Sequence, residues 1–248
     1  MPNLFNQFTN KQGLIVFGGE ASSDYGMVVA HAPSFERPAR KQTIYNVPGR
    51  SGSILFQEDA WEDITRNYQV WLAYDANTPL VDKVDALMAW LNSKTGYTRL
   101  EDNFEPDVYR LAYYSGGNTF TNDLTMKGEA TLTFTCNPKR FLKSGETAET
   151  VTNGSAMVNP TKFKAKPLIH IEGSGNITIG TGGNTLTITG LTDYINIDCE
   201  RMTSYRLPSE NKNSLVSGSF ISLAPGSSTI AITGNTTKVT IKPNYFTI

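Results

Sequence analysis

Alternation of apolar and polar residues dominates this chain, and one stretch breaks it. From Asn67 to Tyr74, Tyr68, Val70 and Leu72 fall on one side of a strand. From Ala130 to Cys136 the alternation is strict and puts Ala130, Leu132, Phe134 and Cys136 on one face. Gly13 to Phe17 is a short apolar run suited to another strand. The exception is Val81, Val84, Leu87, Met88 and Leu91, which recur at helical spacing. Thr78 as N-cap, Pro79 at the first helical position and Gly96 as a left-handed stop bound a helix over about residues 79–94. Trp90 falls at the edge of its stripe and could reach either the core or a neighbouring chain.

Beyond Thr150 the pattern is β throughout. Candidate strands are 168–171, 177–179, 185–189, 195–199, 220–223, 229–233 and 239–241. Gly180 to Asn184, Ala224-Pro225-Gly226 and Thr233-Gly234-Asn235 read as the turns between them, and Gly173-Ser174-Gly175 as a further hairpin turn. Short, regularly spaced strands with glycine turns predict a two-sheet sandwich. No internal repeat is visible.

Composition divides the chain at the same place. Of 26 aromatic residues, 20 precede Lys143, including all three Trp, while the later part is rich in Gly, Thr, Ser and Asn. Two separate cores follow, one in residues 1–142 and one in 143–248, with Lys143 to Thr150 as the connection. The fold class is mainly β with one α-helix. Pro33 to Gly52 holds three prolines, two glycines and four basic residues and reads as irregular or edge structure. Within it Val47-Pro48-Gly49-Arg50 suits a type II turn, with proline setting φ and glycine supplying φ > 0, so that Arg50 projects from a rigid loop.

Charge narrows the partners. The net charge is −1, with 13 basic against 16 acidic residues before Lys143 and 9 against 7 after it. Avid nucleic-acid binding needs many phosphate contacts, so a protein partner fits better. No run of apolar residues is long enough for a membrane helix, and no signal peptide is visible at Met1 to Phe8. Cys136 and Cys199 both sit in strand-like segments and read as buried, reduced thiols.

Catalytic chemistry finds no support. The adjacent pairs Glu58-Asp59, Glu62-Asp63 and Glu101-Asp102 would point to opposite faces of a strand. His31 and His170 lie far apart, no Cys-x-x-Cys pair exists, and no nucleophile elbow is present, so no catalytic, metal or cofactor residue is assigned. The glycines after Gly173 open no helix, which a phosphate cradle requires. Small β-sandwiches often bind sugars, and Tyr194 and Tyr205 are the aromatics left for such a contact.

Two signatures at a set distance carry a family resemblance: Val47-Pro48-Gly49-Arg50-Ser51-Gly52, and Phe134-Thr135-Cys136-Asn137-Pro138-Lys139-Arg140-Phe141. A β-rich tail then ends in Ile241-Lys242-Pro243-Asn244-Tyr245-Phe246. In their order, spacing and total length they resemble the distal tail protein (Dit) family of long-tailed, non-contractile bacteriophages. Val151 to Ser155 with Lys166 to Ile169 matches the entry to that family's second domain, and Gly218 to Phe220 with Leu223 to Gly226 its late hairpin.

The resemblance implies an N-terminal β-sandwich or barrel-like ring domain with one helix, and a C-terminal galectin-like β-sandwich. It implies a virion protein at the distal end of the tail, assembled in the host cytoplasm as a closed ring, commonly a hexamer. The ring would join the tail tube protein to the tail-associated tip protein, hold receptor-binding proteins and let DNA pass as cargo, with no membrane insertion. Val47, Pro48, Gly49, Arg50 and Trp90 are the expected subunit-interface residues, and the segment Phe35 to Phe56 is expected to pair with a neighbour. The alternative is a carbohydrate-binding adhesin of the tail tip using Tyr194 and Tyr205; a cell-wall hydrolase is the third possibility, without a visible catalytic constellation.

Overall fold

The computed structural model describes residues 13–73, 78–116, 119–123 and 127–248. Met1 to Phe8 and Tyr74 lie outside them. The chain forms two compact units, the first running to Arg140 and taking in Ile248, the second spanning Phe141–Thr247. It is mainly β, with a single α-helix among the described residues. Among the described residues no helix is long and apolar enough to cross a membrane.

In the first unit the strands are β1 (Ile15–Phe17), β2 (Glu20–Ala21), β3 (Met27–Val29), β4 (Arg40–Tyr45), β5 (Ile54–Trp61), β6 (Ile64–Ala73), β7 (Thr98–Asp102), β8 (Val108–Tyr114), β9 (Thr121–Asp123) and β10 (Lys127–Leu142). The main sheet has the order β2-β1-β7-β8-β10-β6-β3, with β9 beside β10. Strands β6 and β10 pair antiparallel from Ile64↔Cys136 to Ala73↔Lys127. The alternation read from sequence is realised there: Tyr68, Val70, Leu72, Leu132, Phe134 and Cys136 are all buried.

The helix, α1 (Leu80–Ser93), lies on that face. Pro79, with φ −54° and ψ 145°, takes the N-cap position expected for Thr78, and makes no side-chain cap. The chain leaves the helix at an extended Lys94, two residues before the left-handed Gly96. Its buried stripe is Leu87, Trp90 and Leu91, flanked by Leu80, Val84 and Met88. Val81, counted with the stripe on spacing, is exposed, because Leu80 supplies that turn of the inward face.

The second unit holds β11 (Glu149–Thr150), β12 (Ala156–Asn159), β13 (Leu168–Thr181), β14 (Asn184–Leu191), β15 (Tyr194–Asp198), β16 (Thr203–Tyr205), β17 (Val216–Gly218), β18 (Gly226–Thr229), β19 (Ala231–Lys242) and β20 (Phe246–Thr247). One sheet runs β11-β19-β13-β14-β17 with β15 and β16 attached to β13, and a second pairs β12 with β18. Its core is aliphatic, with Ile169, Ile171, Ile177, Ile179, Leu186, Ile188, Ile195 and Ile197 fully buried.

Four sequence expectations change here. Residues 168–171 and 177–179 belong to one strand, β13, and 231–241 to one strand, β19. Gly173-Ser174-Gly175 and Thr233-Gly234-Asn235 are therefore not turns but the two sides of an irregular crossing between β13 and β19. A Cβ on Gly234, whose φ is +103°, would come within 2.3 Å of the Asn176 carbonyl oxygen, so glycine serves close backbone approach there. Residues 220–223 form no strand; only Leu223 bridges to Ala165. Lys143 to Thr150 is not a free connection: it makes a short 3₁₀ turn with Gly145 against Tyr245, then β11 pairs with β19. The Gly182-Gly183 loop between β13 and β14 does behave as read, with φ of 58° and 90° as a two-residue hairpin needs.

Candidate functional site

Strands β4 and β5 form a hairpin that is a sheet of its own, outside the main sheet of the first unit. The segment expected to be irregular or edge structure is thus regular, because its prolines sit before β4 and in the tip rather than in the ladder. Its register pairs Ile44 with Leu55, Thr43 with Phe56 and Tyr45 with Ile54. Alternation places Ile44 and Leu55 on one face and Tyr45, Ile54 and Phe56 on the other. Neither face is covered: Ile44 is 56% exposed, Tyr45 55%, Leu55 50% and Phe56 59%. Of 13 large exposed apolar side chains among the described residues, six lie between Phe35 and Phe56, so the patch is local and not general surface.

The tip is built as the sequence indicated. The Arg50 amide donates to the Val47 carbonyl at 3.2 Å, and Gly49 has φ +80°, giving a type II turn. Ser53 Oγ donates to Asn46 Oδ1 at 2.6 Å across its base. At the other end, Arg40 Nε donates to the Glu58 carbonyl, and its guanidinium pairs with Asp59 and lies over Trp61. The structure brings Val47, Pro48, Gly49 and Arg50 together at this exposed tip. Trp90 does not join them. It is 3% exposed, donates Nε1–H to the Phe17 carbonyl at 3.1 Å and stacks on Tyr25 at 4.7 Å. Of the two roles open to it, Trp90 takes the core one, which leaves it no surface for a neighbour.

The first unit also holds a buried charge network that sequence reading missed. Arg66 Nη2 contacts Asp102 at 2.8 Å and Glu105 at 3.3 Å, while its Nε donates to Tyr68 Oη at 2.8 Å. Tyr68 in turn donates to Asp102 at 2.7 Å. Glu105 also receives Arg110, and Arg140 at 2.8 Å. Arg66, Asp102 and Arg110 are all nearly inaccessible. Burial alone would oppose the charge on Arg66, but Tyr68 and Asp102 hold its guanidinium protonated more firmly than usual. Burial also opposes charge on Glu105, yet Arg110, Arg66 and Arg140 hold its carboxyl below the ordinary range. Arg66 Nη1 reaches the Ser34 carbonyl at 3.4 Å, tying the network to the chain entering β4. The signal was present: Arg66 and Arg110 occupy inward positions of alternating strands, where a charge must find a partner.

The residues weighed for chemistry are dispersed. Asp102 is buried while its neighbour Glu101 turns outward to Arg99, as opposite strand faces require. Cys136 and Cys199 are both free thiols, each pushed up to about 12 by burial, which suppresses thiolate chemistry. Among the described residues no group of His, Cys, Asp and Glu is placed to hold a metal ion.

Tyr194 and Tyr205 lie on one outer face of the second unit. The register aligns His170, Asn196 and Tyr205 across β13, β15 and β16, with Glu172 beside Tyr194 and Asp198 beside Thr203. His170 Nδ1 is hydrogen-bonded to Asn196 Oδ1 at 2.8 Å. The Tyr194 ring is covered by the Arg206 guanidinium at 5.2 Å, whereas Tyr205 lines a cleft of about 370 Å³ with Asp198, Arg201 and Asn211.

No protein-family model and no curated protein matches this sequence. Among solved structures, the chain is similar to the SPP1 Dit (gp 19.1) protein, described as a paradigm of the hub adsorption apparatus in phages infecting Gram-positive bacteria. The identity is 14% and the TM-score 0.75, over 96% of this chain and 100% of that one. A chain of the phage p2 baseplate in its activated, strontium-bound conformation aligns at 10% identity and TM-score 0.51, over 96% and 100%. Over 96% of its length, then, this chain has the fold of a phage Dit protein.

Proposed function

We propose that this protein is a non-enzymatic structural subunit of a phage tail tip, which assembles into a ring, a hexamer by expectation. The observation that carries the reading is the likeness of fold to a phage hub protein, over 96% of this chain and 100% of that one. The hairpin supplies a physical reason for assembly. A two-stranded hairpin is marginal on its own, and this one has apolar side chains on both faces. A head-to-tail ring closes such contacts on every copy at once, and Val47, Pro48, Gly49 and Arg50 at the tip are the proposed contacts with the next subunit. In this reading the ring sits at the distal end of the tail between tail tube protein and tail-associated tip protein. It carries receptor-binding protein outside, passes DNA through its lumen, and is assembled in the host cytoplasm.

The test is light scattering and negative-stain imaging of the purified chain, alone and with the tube and tip proteins of the same virion. Closed rings under either condition support the reading. A chain that stays monomeric and binds neither partner contradicts it.

A further inference from the structure

The buried charge network of the first unit is unbalanced, both in charge and in hydrogen bonds. Three guanidiniums, Arg66, Arg110 and Arg140, share two carboxylates, Asp102 and Glu105. One positive charge is therefore in excess, in a cluster whose side chains are only 1–14% exposed. The acceptors in it are already engaged. Asp102 Oδ1 accepts from the amides of Phe104 at 3.0 Å and Glu105 at 2.9 Å, and its Oδ2 accepts from Arg66 and from the Tyr68 hydroxyl. Glu105 Oε1 receives Arg140, and its Oε2 receives both Arg110 and Arg66.

Two donors are left over. Arg110 Nε–H and Arg140 Nε–H are closed off from solvent and have no hydrogen-bond partner among the described residues. Both belong to guanidiniums that clasp Glu105, one at each carboxylate oxygen, so the two orphans sit in one cluster. A buried N–H without an acceptor is costly, and more so on a charged group. The charge imbalance decides which acceptor fits. Water would satisfy a donor and leave the excess charge buried, whereas a monovalent anion answers both. A divalent anion would reverse the sign of the cluster. Burial and then the guanidinium of the exposed Arg37 lower the Arg140 pKa, and Glu105 only partly offsets them, as expected where positive charge is under-compensated.

We propose that Arg110 and Arg140 form a binding site for a small monovalent anion of the halide class, held by their two Nε–H groups beside Glu105. The site lies within the first unit and does not depend on ring formation.

Thermal unfolding of the full chain in sodium chloride and in sodium gluconate, at matched ionic strength, tests it. Chloride is expected to raise the melting temperature saturably, with a millimolar midpoint. Arg140→Gln removes one orphan donor and the excess charge, and should raise that midpoint at least about tenfold. That variant also loses a contact to Glu105, so Arg37→Gln is the second probe. Arg37 is exposed and donates to the Glu36 carbonyl, outside the network, so its replacement leaves the clasp on Glu105 intact. It should raise the midpoint about two- to fivefold. Crystals grown in sodium bromide locate the ion, and an anomalous peak against Arg110 Nε and Arg140 Nε is expected. Equal melting temperatures in chloride and gluconate, a midpoint unmoved in both variants, or a water at those two nitrogens in the bromide crystals would each overturn the proposal. The light-scattering mass of the same samples reports on the hub reading separately, so either can fail without the other.

Discussion

Two hairpins of this chain show what a finished and an unfinished β-surface look like. Strands β13 and β14 meet through Gly182-Gly183, and their inward residues Ile177, Ile179, Leu186 and Ile188 are fully buried while the intervening ones are polar. That hairpin is completed by its own unit, with β19 on one edge and β17 on the other. Strands β4 and β5 alternate as well, but carry apolar residues on both faces and, among the described residues, have no further strand beside them. The first pattern states which face is the core. The second is the pattern that the proposed contact with a neighbouring subunit would complete.

The sharpest way to break this comparison is to change both hairpins and read assembly against stability. Replacing Ile44, Tyr45, Leu55 and Phe56 together by Thr or Ser removes four exposed apolar side chains. At about 1.5–3 kcal/mol for each side chain buried, an interface would lose on the order of 6–12 kcal/mol. Rings should vanish in light scattering while the melting temperature of the monomer stays unchanged. An intact ring in this variant would place the contact elsewhere.

Arg66→Ala comes next. Removing one partner of a buried pair leaves Asp102 uncompensated and should cost about 3–5 kcal/mol in denaturant unfolding. Ile188→Ala in the finished hairpin should cost roughly 2–5 kcal/mol by the same measurement, with no change in the mass of what remains folded. Gly49→Ala has open space around its Cβ but φ +80°, so backbone strain of about 1–2 kcal/mol is its only expected effect. It should loosen ring contacts at the tip slightly and leave the cores intact.

The smallest effect is one of pH. The folded-state carboxyl of Glu105 titrates below its ordinary value of 4.5. Its stabilisation is therefore fully present above that value and is lost as pH falls through the lower folded value. The melting temperature should fall on acidification below about 4.5, and Glu105→Gln should flatten that acid limb.

Much of the architecture was legible from sequence because alternation survives wherever one face is buried. Tyr68, Val70, Leu72, Leu132 and Phe134 announced their strands, and Leu87 and Leu91 the helix. The turn at Val47 to Arg50 was readable because proline and glycine each fix a dihedral. What failed has a physical cause in each case. Gly234 looked like a turn because sequence cannot show that another backbone passes within van der Waals distance of it. Trp90 was ambiguous because helical spacing alone does not say which edge of a stripe a partner ring covers; Tyr25, 65 residues earlier, decides it. The Arg66–Asp102–Glu105–Arg140 network joins residues from three distant segments, and only the fold brings them together.

The most direct test of the account is the solution mass and negative-stain image of the wild-type chain beside the β4–β5 variant. The account predicts closed hexameric rings for the wild type, alone or on its tube or tip partner, and a folded monomer for the variant under the same conditions. Equal masses for the two proteins, ring or monomer alike in every condition, would contradict it.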